Sequence, residues 1–507
     1  MTARPLPQAG TDGVPRLSRS VDVVVAGGGL AGVAAAVVLA ERGARVTLFE
    51  RDPVLGGRLG GWPDRLATGE EFRMERGFHA FFRQYHNLRA LLRRVDPGLH
   101  TLQPVGDYAL YGPDGEAESF TGLPHRPPFN AIALMWRSPT VGLDDLRSMD
   151  GPEAREMMRF DPVHTYERLD GQSAAEYLDR LRMPPAARRM LFEVFARSFF
   201  DPEDEMSAAE LIMRFHLYFM GSAEGLLFDV VTEPFPDAIW APMARHLEAL
   251  GVDLRLDAEV ESVAPPGAGA NGRWRVDAGA GAPVEADAVV LALPVAGLQQ
   301  VVDASPDVGD AAWRESVAAL RPARPFAVWR LWLDRPVDAC RPVFAGTAGL
   351  GLLDNVSLLH RYEGESRRWS LRTGGSVVEL HAYALRPGPA SDEAGVKADL
   401  RAALGRLYPE TATASVLEDR YLVRADAPAF PPGSHAGRPT VDTPVPGLAL
   451  AGDLVRLDFP SALMERAVAS GMLAANSVLR RWGVAPEPVW TGRRRGLLAW
   501  VRSTRCR

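Results

Sequence analysis

Three glycines near the amino terminus have the spacing of a loop that binds phosphate groups. They form the pattern Gly27-x-Gly29-x-x-Gly32, between an apolar run and an alanine-rich stretch. Gly27 permits a tight turn, Gly29 lets a pyrophosphate approach the backbone, and Gly32 lets a helix pack closely on a strand. Glu50 follows at the separation expected of a carboxylate that binds ribose. The pattern predicts a dinucleotide site at the amino end of a helix, and a glycine-rich turn without a ligand is the alternative.

Two further glycine motifs indicate which dinucleotide is bound. Gly56-Gly57-Arg58 follows the second apolar run, and Gly452-Asp453 ends a late one before a long helical stretch. Together they resemble FAD-dependent enzymes of the glutathione-reductase-like class. The resemblance implies that Arg58 lines the pyrophosphate and flavin, and that Asp453 binds the ribityl chain or a phosphate. It also implies that the helix after Asp453 points its amino end at the flavin, where its dipole stabilises negative charge. We therefore expect FAD.

An aromatic segment with two histidines narrows the family further. Residues 74–87 (MERGFHAFFRQYHN) resemble the GLHxFF…YxN segment of plant-type phytoene and zeta-carotene desaturases. Over most of residues 21–482 the chain is more similar to the bacterial carotenoid phi-ring synthases. The segments that carry this similarity are RGFHAFFRQYHNLRALLRRVDPGL, SFFDPEDEMSAAEL, GSAEGLLFDV and SALMERAVASGMLAAN. The chain is thus identified as a member of the superfamily of FAD-dependent carotenoid desaturases and isomerases.

That resemblance implies desaturation of the beta-ionone end rings of a carotenoid, beta-carotene above all, to aromatic phi-rings with migration of a methyl group. Hydride loss leaves a cation on an allylic ring carbon, a methyl shift relieves it, and proton loss with a second oxidation completes the aromatic ring. Such a cation needs a dry cavity with aromatic faces. Phe78, Phe81, Phe82 and Tyr85 are the candidates for those faces, and packing in a hydrophobic core is the alternative.

Removal of the proton requires a weak base. His79 is the first candidate, because it lies inside the aromatic segment and an imidazole titrates near neutrality. Glu465 and Glu224 are the next candidates, and a structural role is the alternative for each of the three. Arg76 and Arg83 are candidates for positioning the flavin or a quinone that accepts its electrons.

The expected cofactor contacts follow from the same resemblance. They are Gly27, Gly29, Leu30, Ala31, Gly32, Glu50, Arg51, Gly57, Arg58, Gly77, Phe78, Val260, Gly452, Asp453 and Met464. Flavin amine oxidases commonly keep a lysine that holds a water at the flavin. The sole lysine here, Lys397, lies on a predicted exposed helix far from the flavin motifs, which disfavours amine oxidation. Cys340 and Cys506 lack the spacing of metal ligands or of a disulfide framework, so no metal site is expected.

The elements that position these residues are visible in the hydrophobic pattern. Continuous apolar runs, typical of parallel strands covered on both faces, span residues 21–26, 45–50, 284–293 and 448–453. Alternating patterns predict antiparallel strands over 326–333 and 377–383. Helices are expected over 30–42, 184–200, 211–219, 391–407 and 461–482.

The predicted fold class is therefore α/β. We expect a glutathione-reductase-like FAD-binding Rossmann domain with an inserted α+β substrate domain, as in amine oxidases and phytoene desaturases. The FAD-binding domain would comprise residues 21–105, 235–300 and 440–482, and the substrate-binding domain 106–234 and 301–439. Residues 1–20 are expected to form a disordered arm, and residues 483–507 a basic tail.

Charge and hydropathy narrow the class of partner. A net charge of −7 over 507 residues argues against a nucleic-acid binder, and no apolar run is long enough for a transmembrane helix. The basic tail pairs Arg493, Arg494 and Arg495 with Leu497, Leu498 and Trp500. This composition favours contact with a membrane surface, with a solvated tail as the alternative. We expect a cytoplasmic protein that associates peripherally with the inner face of the cell membrane.

Two other functions stay open. Within the same flavoprotein superfamily, the alternatives are an acyclic carotene desaturase and a carotene cis–trans isomerase. Outside it, GDP dissociation inhibitors share this fold, bind lipidated proteins and hold no flavin. The intact set of Gly27, Gly32, Glu50 and Asp453 argues against such a flavin-free lipid-binding escort protein.

Overall fold

The structure is a computed structural model, and it describes most of the chain. The described residues are 3–8, 12–106, 108–120, 122–124, 129–138, 142, 147–222, 224–267, 272–279, 281–386 and 392–496. None of the helices within these ranges is both long and apolar enough to cross a membrane.

The described chain contains both strands and helices. The strands are β1 (Arg4–Pro5), β2 (Asp22–Ala26), β3 (Arg45–Phe49), β4 (Gly61–Arg65), β5 (Glu71–Glu75), β6 (Phe81–Phe82), β7 (Leu102–Pro104), β8 (Ala109–Tyr111), β9 (Ala117–Ser119), β10 (Phe228–Val231), β11 (Asp253–Arg255), β12 (Val260–Ala264), β13 (Trp274–Ala278), β14 (Val284–Ala286), β15 (Ala288–Leu291), β16 (Phe326–Leu333), β17 (Phe344–Thr347), β18 (Asn355–Ser357), β19 (Ser376–Ala382), β20 (Val416–Arg424), β21 (Leu448–Leu450) and β22 (Trp490–Thr491). The α-helices are α1 (Leu30–Glu41), α2 (His86–Leu92), α3 (Phe129–Arg137), α4 (Gly151–Met157), α5 (His164–Leu169), α6 (Ala174–Leu181), α7 (Pro185–Ala187), α8 (Val194–Arg197), α9 (Ala208–Phe215), α10 (Ala241–Ala249), α11 (Val295–Asp303), α12 (Ala311–Ala318), α13 (Gly364–Thr373), α14 (Glu393–Leu407) and α15 (Leu463–Arg480).

A five-stranded parallel sheet carries the glycine motifs. Its strand order is β11-β3-β2-β15-β21, and every neighbouring pair is parallel. Strands β2, β15 and β21 are almost wholly buried, as their continuous apolar sequences require. The strands come from distant parts of the chain, so the sheet brings Gly27 and Asp453 to the same edge.

Helices α1 and α15 pack on this sheet at close range. Helix α1 has no polar face, and Leu30 to Ala40 are all buried. Gly471 of α15 makes the approach possible, because a Cβ built there would lie 2.1 Å from the carbonyl oxygen of Ala31. A larger side chain at Gly471 would therefore separate the helix that follows Asp453 from the helix that follows the glycine loop.

A second, mixed sheet lies in the remaining sequence. Its order is β20-β16-β19-β18-β17-β8-β9, and only the β17–β8 pair is parallel. All seven strands fall within residues 106–234 and 301–439, whereas the strands of the parallel sheet fall within 21–105, 235–300 and 440–482. This distribution supports the two-domain division, which we retain as a proposal.

Two local predictions differ from the structure. The apolar run 284–293 forms two strands, because Asp287 interrupts it and accepts a hydrogen bond from the backbone N–H of Asp22 (2.8 Å). Strand β14 on one side joins an antiparallel sheet with β13, and β15 on the other joins the parallel sheet.

The amino-terminal arm is also more ordered than expected. Strand β1 pairs antiparallel with β22, and the N–H of Leu6 donates to the carbonyl of Val489 (2.8 Å). The described part of residues 1–20 is therefore tied to the carboxyl-terminal segment by backbone hydrogen bonds, which a composition rich in Pro, Gly and Arg does not reveal.

Candidate functional site

A large cavity opens at the carboxyl ends of the parallel strands. Four strand ends reach it, at Gly27, Glu50, Ala292 and Gly452. This edge is where open α/β sheets bind their ligands. From there the cavity extends to the mixed sheet, where Tyr383 also lines it.

The glycine loop has the geometry of a pyrophosphate cradle. Gly29 is the N-cap of α1, and no side chain among the described residues caps the helix. The N–H of Gly28 donates to Glu50 Oε2 (2.6 Å), and that of Asp52 donates to Oε1 (2.9 Å). A Cβ at Gly57 would lie 3.3 Å from the Cα of Gly29. The paired glycines thus leave an open slot at the positive end of α1, next to a buried carboxylate.

The carboxyl-terminal motif closes the same slot from the other side. Asp453 is buried and forms an ion pair with Arg58, which joins the two halves of the predicted clamp. The first turn of α15, including Met464, lines the cavity. Its N-cap, Ala462, has a side chain that cannot accept a hydrogen bond, so the amino end of α15 is available to a ligand. These features fit the pyrophosphate, ribityl chain and flavin of FAD.

Most of the predicted cofactor contacts line this cavity. They are Gly27, Gly29, Leu30, Ala31, Glu50, Arg51, Gly57, Arg58, Phe78, Val260, Gly452, Asp453 and Met464. Gly32 and Gly77 do not. A Cβ at Gly32 would lie 1.9 Å from the carbonyl oxygen of Gly27, and one at Gly77 would lie 2.5 Å from His381 Cε1. Both glycines therefore allow close packing behind the cavity wall.

His79 lies in the cavity wall with one ring nitrogen engaged. Its Nδ1 lies 2.8 Å from the carbonyl oxygen of Gly77 and donates to it. Nε2 then carries the lone pair, and it has no hydrogen-bond partner within the described ranges. Burial lowers the pKa of His79 to about 4, so the imidazole is neutral at physiological pH. The ring meets Phe235 edge-on at 5.5 Å. His79 stays a candidate for the proton acceptor.

Glu465 has a different environment from the one expected of a base. It is buried outside the cavity, and burial raises its pKa to about 7. Its Oε1 accepts hydrogen bonds from the backbone N–H (3.0 Å) and the side-chain amide (2.7 Å) of Asn87. Its Oε2 accepts from the N–H of Leu88 (3.0 Å). The carboxyl group therefore caps the amino end of α2 from α15 and does not face the site.

Glu224 is also outside the cavity. Its side chain is exposed, and its backbone N–H donates to Ser222 Oγ (3.1 Å). Neither glutamate can reach a substrate in the cavity, because a carboxyl group must lie within hydrogen-bond distance of the proton that it removes. We withdraw both as candidates for the base.

The two arginine candidates are separated. Arg76 lines the cavity and pairs with Asp426. Arg83 lies outside the cavity and pairs with Asp229 (3.3 Å), which also binds Arg89. Arg76 remains a candidate for positioning the flavin, whereas Arg83 serves a buried ion-pair cluster.

Aromatic rings form the far end of the cavity. Phe78 stacks on Phe344 at 4.2 Å between ring centroids and meets Phe228 edge-on at 5.9 Å. Tyr108 meets the same Phe228 edge-on at 5.8 Å. Phe82 and Tyr85 line the cavity as predicted, but Phe81 is fully buried beneath it and serves core packing. The chamber is thus walled by π faces.

Sequence reasoning missed a polar group in this aromatic wall. His381, Tyr383 and Asn355 line the cavity, and Glu379 lies behind His381. The alternation Glu379-x-His381-x-Tyr383 is the signal that was available, because residues two apart on a strand share one face. The pairing of β19 between β16 and β18 places that face against the cavity.

Lys397 lies away from the site. Its Nζ pairs with Glu393 (2.7 Å) and Asp419 (2.6 Å), and it does not line the cavity. The basic tail is described only to Gly496, whose N–H donates to the carbonyl of Phe160 (2.7 Å). Arg495 pairs with Asp161 (2.7 Å). Leu497, Leu498, Trp500 and Cys506 lie outside the described residues.

Comparisons with known proteins agree with this geometry. The profile of the family described as flavin containing amine oxidoreductase matches residues 30–479. The chain is 51% identical to a carotenoid phi-ring synthase of Streptomyces griseus, with 95% of this chain and 92% of that protein covered. It is 28% identical to a carotenoid phi-ring synthase of Chlorobaculum tepidum, covering 94% and 91%. It is 26% identical to a 15-cis-phytoene desaturase of Synechococcus elongatus, covering 90% and 96%.

Solved structures confirm the predicted fold class. Putrescine oxidase bound to putrescine has a TM-score of 0.66 at 19% identity and covers 91% of this chain and 100% of that chain. Cyclohexylamine oxidase from Brevibacterium oxydans has a TM-score of 0.65 at 16% identity and covers 91% and 99%. At these identities the likeness concerns the fold alone.

Proposed function

The chain belongs to the flavin-containing amine oxidoreductase family, and from that premise we propose that it is a FAD-dependent carotenoid desaturase that converts a beta-ionone end ring into an aromatic phi-ring with methyl migration. The single observation that carries the proposal is the aromatic chamber that continues from the flavin clamp. The 51% identity to the Streptomyces griseus phi-ring synthase supports the same substrate class. Amine oxidation is disfavoured, because the sole lysine of the chain lies away from the cavity.

FAD, when bound, supplies a two-electron acceptor for hydride. The chain's own residues position it: the glycine loop and the amino end of α1 bind the pyrophosphate, and Asp453 with Arg58 holds the ribityl side. The buried Glu50 carboxylate remains available to ribose. These groups fix the cofactor at the edge of the parallel sheet.

The aromatic chamber suits an apolar ring that becomes cationic. Phe78, Tyr108, Phe228 and Phe344 exclude water and offer π faces to positive charge. When no nucleophile reacts with the cation first, a methyl group on the neighbouring ring carbon can migrate to the cationic carbon. His79 Nε2 is a neutral acceptor in the same wall. The site therefore combines hydride removal, protection of a cation and proton removal.

Pigment analysis tests the proposal. Cells that accumulate beta-carotene and produce this protein should form carotenoids with aromatic end rings, and cells that accumulate lycopene should not. Arg58→Ala is the negative control. It breaks the ion pair with Asp453 that is proposed to hold FAD but leaves the aromatic chamber unchanged, so cells that produce it should form fewer aromatic end rings. Further desaturated or isomerised lycopene, with beta-carotene unchanged, would favour the acyclic desaturase or the isomerase. A purified chain that binds no flavin would revive the escort protein.

We also propose where the substrate and electrons come from. A membrane-dissolved carotenoid must be taken from a bilayer, and a quinone is an acceptor class available there. Arg493 to Arg495 and the apolar residues after them are the proposed contact with the inner face of the cell membrane. Truncation after Gly496 leaves β22 paired with β1. This variant keeps Arg493 to Arg495 but should bind anionic vesicles more weakly in co-sedimentation, because it lacks Leu497, Leu498 and Trp500. Unchanged binding would discard the residues after Gly496 as an anchor.

A further inference from the structure

A chain of buried hydrogen-bonding groups ends in the aromatic chamber. Tyr383 Oη lies 2.9 Å from His381 Nδ1, and His381 Nε2 lies 2.9 Å from Glu379 Oε1. Arg330 Nε donates to Glu379 Oε2 (2.9 Å). Each of these four residues is at most 8% exposed. The series thus runs from the cavity wall into the interior of the mixed sheet.

The protons in this series have one consistent arrangement. Burial opposes ionisation of Glu379, but the Arg330 guanidinium and the His381 hydrogen bond prevail and lower its pKa to about 2. Glu379 is therefore a carboxylate that only accepts, and His381 Nε2 must carry the proton directed at it. His381 Nδ1 then holds the lone pair and accepts the phenol O–H of Tyr383. The backbone N–H of Phe78 also points at Nε2, at 3.3 Å, but it cannot donate to a protonated nitrogen, so this longer contact yields to the shorter one with the Glu379 carboxylate.

Tyr383 is held in a fixed position by a second set of contacts. Its backbone N–H donates to Asp354 Oδ2 (2.6 Å), and its carbonyl accepts from Arg197 Nη2 (2.8 Å). Arg197 Nε also donates to Asp354 Oδ1 (2.6 Å). The side-chain amide of Asn355 donates to Tyr383 Oη (3.0 Å). Three residues thus aim one phenol oxygen at the chamber.

The surroundings favour function over a structural hydrogen bond. Asn355 Oδ1 is buried and has no partner in the described part of the chain, although Asn355 lines the cavity. Phe200 and Phe344 flank the polar group as further cavity-lining residues. Within the described residues, the charged or titratable groups that face His381 are Tyr383, Glu379, Asp354 and His79. A polar relay set in an otherwise apolar wall is costly unless something in the cavity uses it.

We propose that Tyr383 takes the proton that the ring loses, and that His381, backed by Glu379, accepts the phenol's own proton in the same step. The inference rests on the proposed function. Loss of hydride from one ring carbon to bound FAD leaves a cation. The C–H bond beside the cation then breaks, and its electron pair becomes the new C=C bond. The released proton binds Tyr383 Oη as the phenol proton moves to His381 Nδ1, where the imidazolium faces the Glu379 carboxylate.

The phenol of Tyr383, the imidazole of His381 and the carboxylate of Glu379 resemble a hydroxyl–imidazole–carboxylate triad. The ring loses one hydride and one proton per desaturation, so the substrate is oxidised by two electrons and FAD is reduced by two. His381 differs from His79, because its second ring nitrogen, Nε2, lies 2.9 Å from the Glu379 carboxylate. Tyr383 is thus the catalytic residue of the proposal, and His381 and Glu379 are positioning residues that act through it.

Tyr383→Phe tests the relay in the FAD-loaded enzyme. The variant should keep its FAD content and its KM for beta-carotene, while kcat falls about 100-fold or more. Tyr408→Phe is the matched control, since Tyr408 is also buried but lies outside the cavity. Its kcat should match that of the wild type. A Tyr383→Phe enzyme with unchanged kcat would overturn the proposal, and so would an equal loss in the control.

A double variant separates the relay from a packing effect. His381→Gln should lose kcat to the same extent, and Tyr383→Phe/His381→Gln should lose no more than either single variant, because one proton path is broken in all three. The relay would be refuted if the fold-losses in kcat of the two single variants multiplied in the double variant, or if the loss in kcat were explained by a lower FAD content. A large loss in His79→Gln with none in Tyr383→Phe would assign the proton to His79.

Failure of the proposed function is a distinct outcome. If the wild-type protein leaves beta-carotene unchanged but bleaches its flavin with an acyclic carotene under argon, the substrate class proposed above is wrong. The relay is then tested on that carotene, because each desaturation still releases one proton per hydride. Bleaching at the wild-type rate in Tyr383→Phe would refute the relay alone.

Discussion

Replacement of Glu465 by alanine separates a structural carboxylate from a catalytic one. The change removes the acceptor of three hydrogen bonds, from the two N–H donors of Asn87 and from the N–H of Leu88. Each donor left buried without a partner costs about 1 kcal/mol, so Glu465→Ala should lower the free energy of unfolding by about 3 kcal/mol. Urea unfolding at saturating FAD, followed by tryptophan fluorescence, measures the loss.

Glu224→Ala is the matched control for this experiment. It makes the same chemical change at an exposed glutamate, and it should alter the free energy of unfolding by less than about 0.5 kcal/mol. Folded Glu465→Ala should retain turnover per bound FAD, because the carboxyl group lies outside the cavity. A variant with wild-type stability and full FAD content but no turnover would refute the structural assignment and restore Glu465 as the base.

Three other predictions use the same measurements. The stability difference between wild type and Glu465→Ala should narrow as the pH rises from about 5 to 8, because burial raises the folded-state pKa of Glu465 to about 7. The folded state then binds the proton more tightly than the unfolded state does, which adds about 3 kcal/mol to the stability of the wild type at low pH. This contribution is lost as the pH rises above the folded-state pKa. A stability difference that widens with rising pH would contradict the raised pKa. Gly29→Ala should fold normally but bind FAD weakly, as read from the flavin absorbance per protein, since its Cβ meets only ordinary contacts while occupying the cofactor slot. Lys397→Met should change turnover by less than twofold and stability by at most about 1 kcal/mol; loss of activity with intact flavin would place the lysine in the chemistry.

The cofactor site could be predicted because its requirements are local. Gly27, Gly29 and Gly32 are set by turn geometry and backbone approach within a few residues. Asp453 was recognisable from the strand before it and the helix after it. These residues can be recognised from the sequence because their roles depend on local backbone geometry and not on tertiary contacts.

The proton-handling residues depend on non-local pairing. Glu379, His381 and Tyr383 alternate on a predicted strand, but the face that meets the cavity is chosen by β16 and β18. The prediction that Glu465 is a base was wrong for the same reason. Its position in the helix after Asp453 does not reveal that its carboxyl group caps α2, a helix from a distant part of the sequence. Asp287 also divides an apolar run only because it bonds the backbone of Asp22.

The parallel sheet combines strands from both ends of the polypeptide, and this has a consequence for biosynthesis. Strand β21 and helix α15 complete the flavin clamp, and both are translated after residue 447. A nascent chain on the ribosome therefore holds an unfinished Rossmann half with the apolar surfaces of β15 and α1 uncovered. Cofactor capture becomes a late, post-translational event, and premature termination before α15 releases an aggregation-prone polypeptide rather than a smaller flavoprotein.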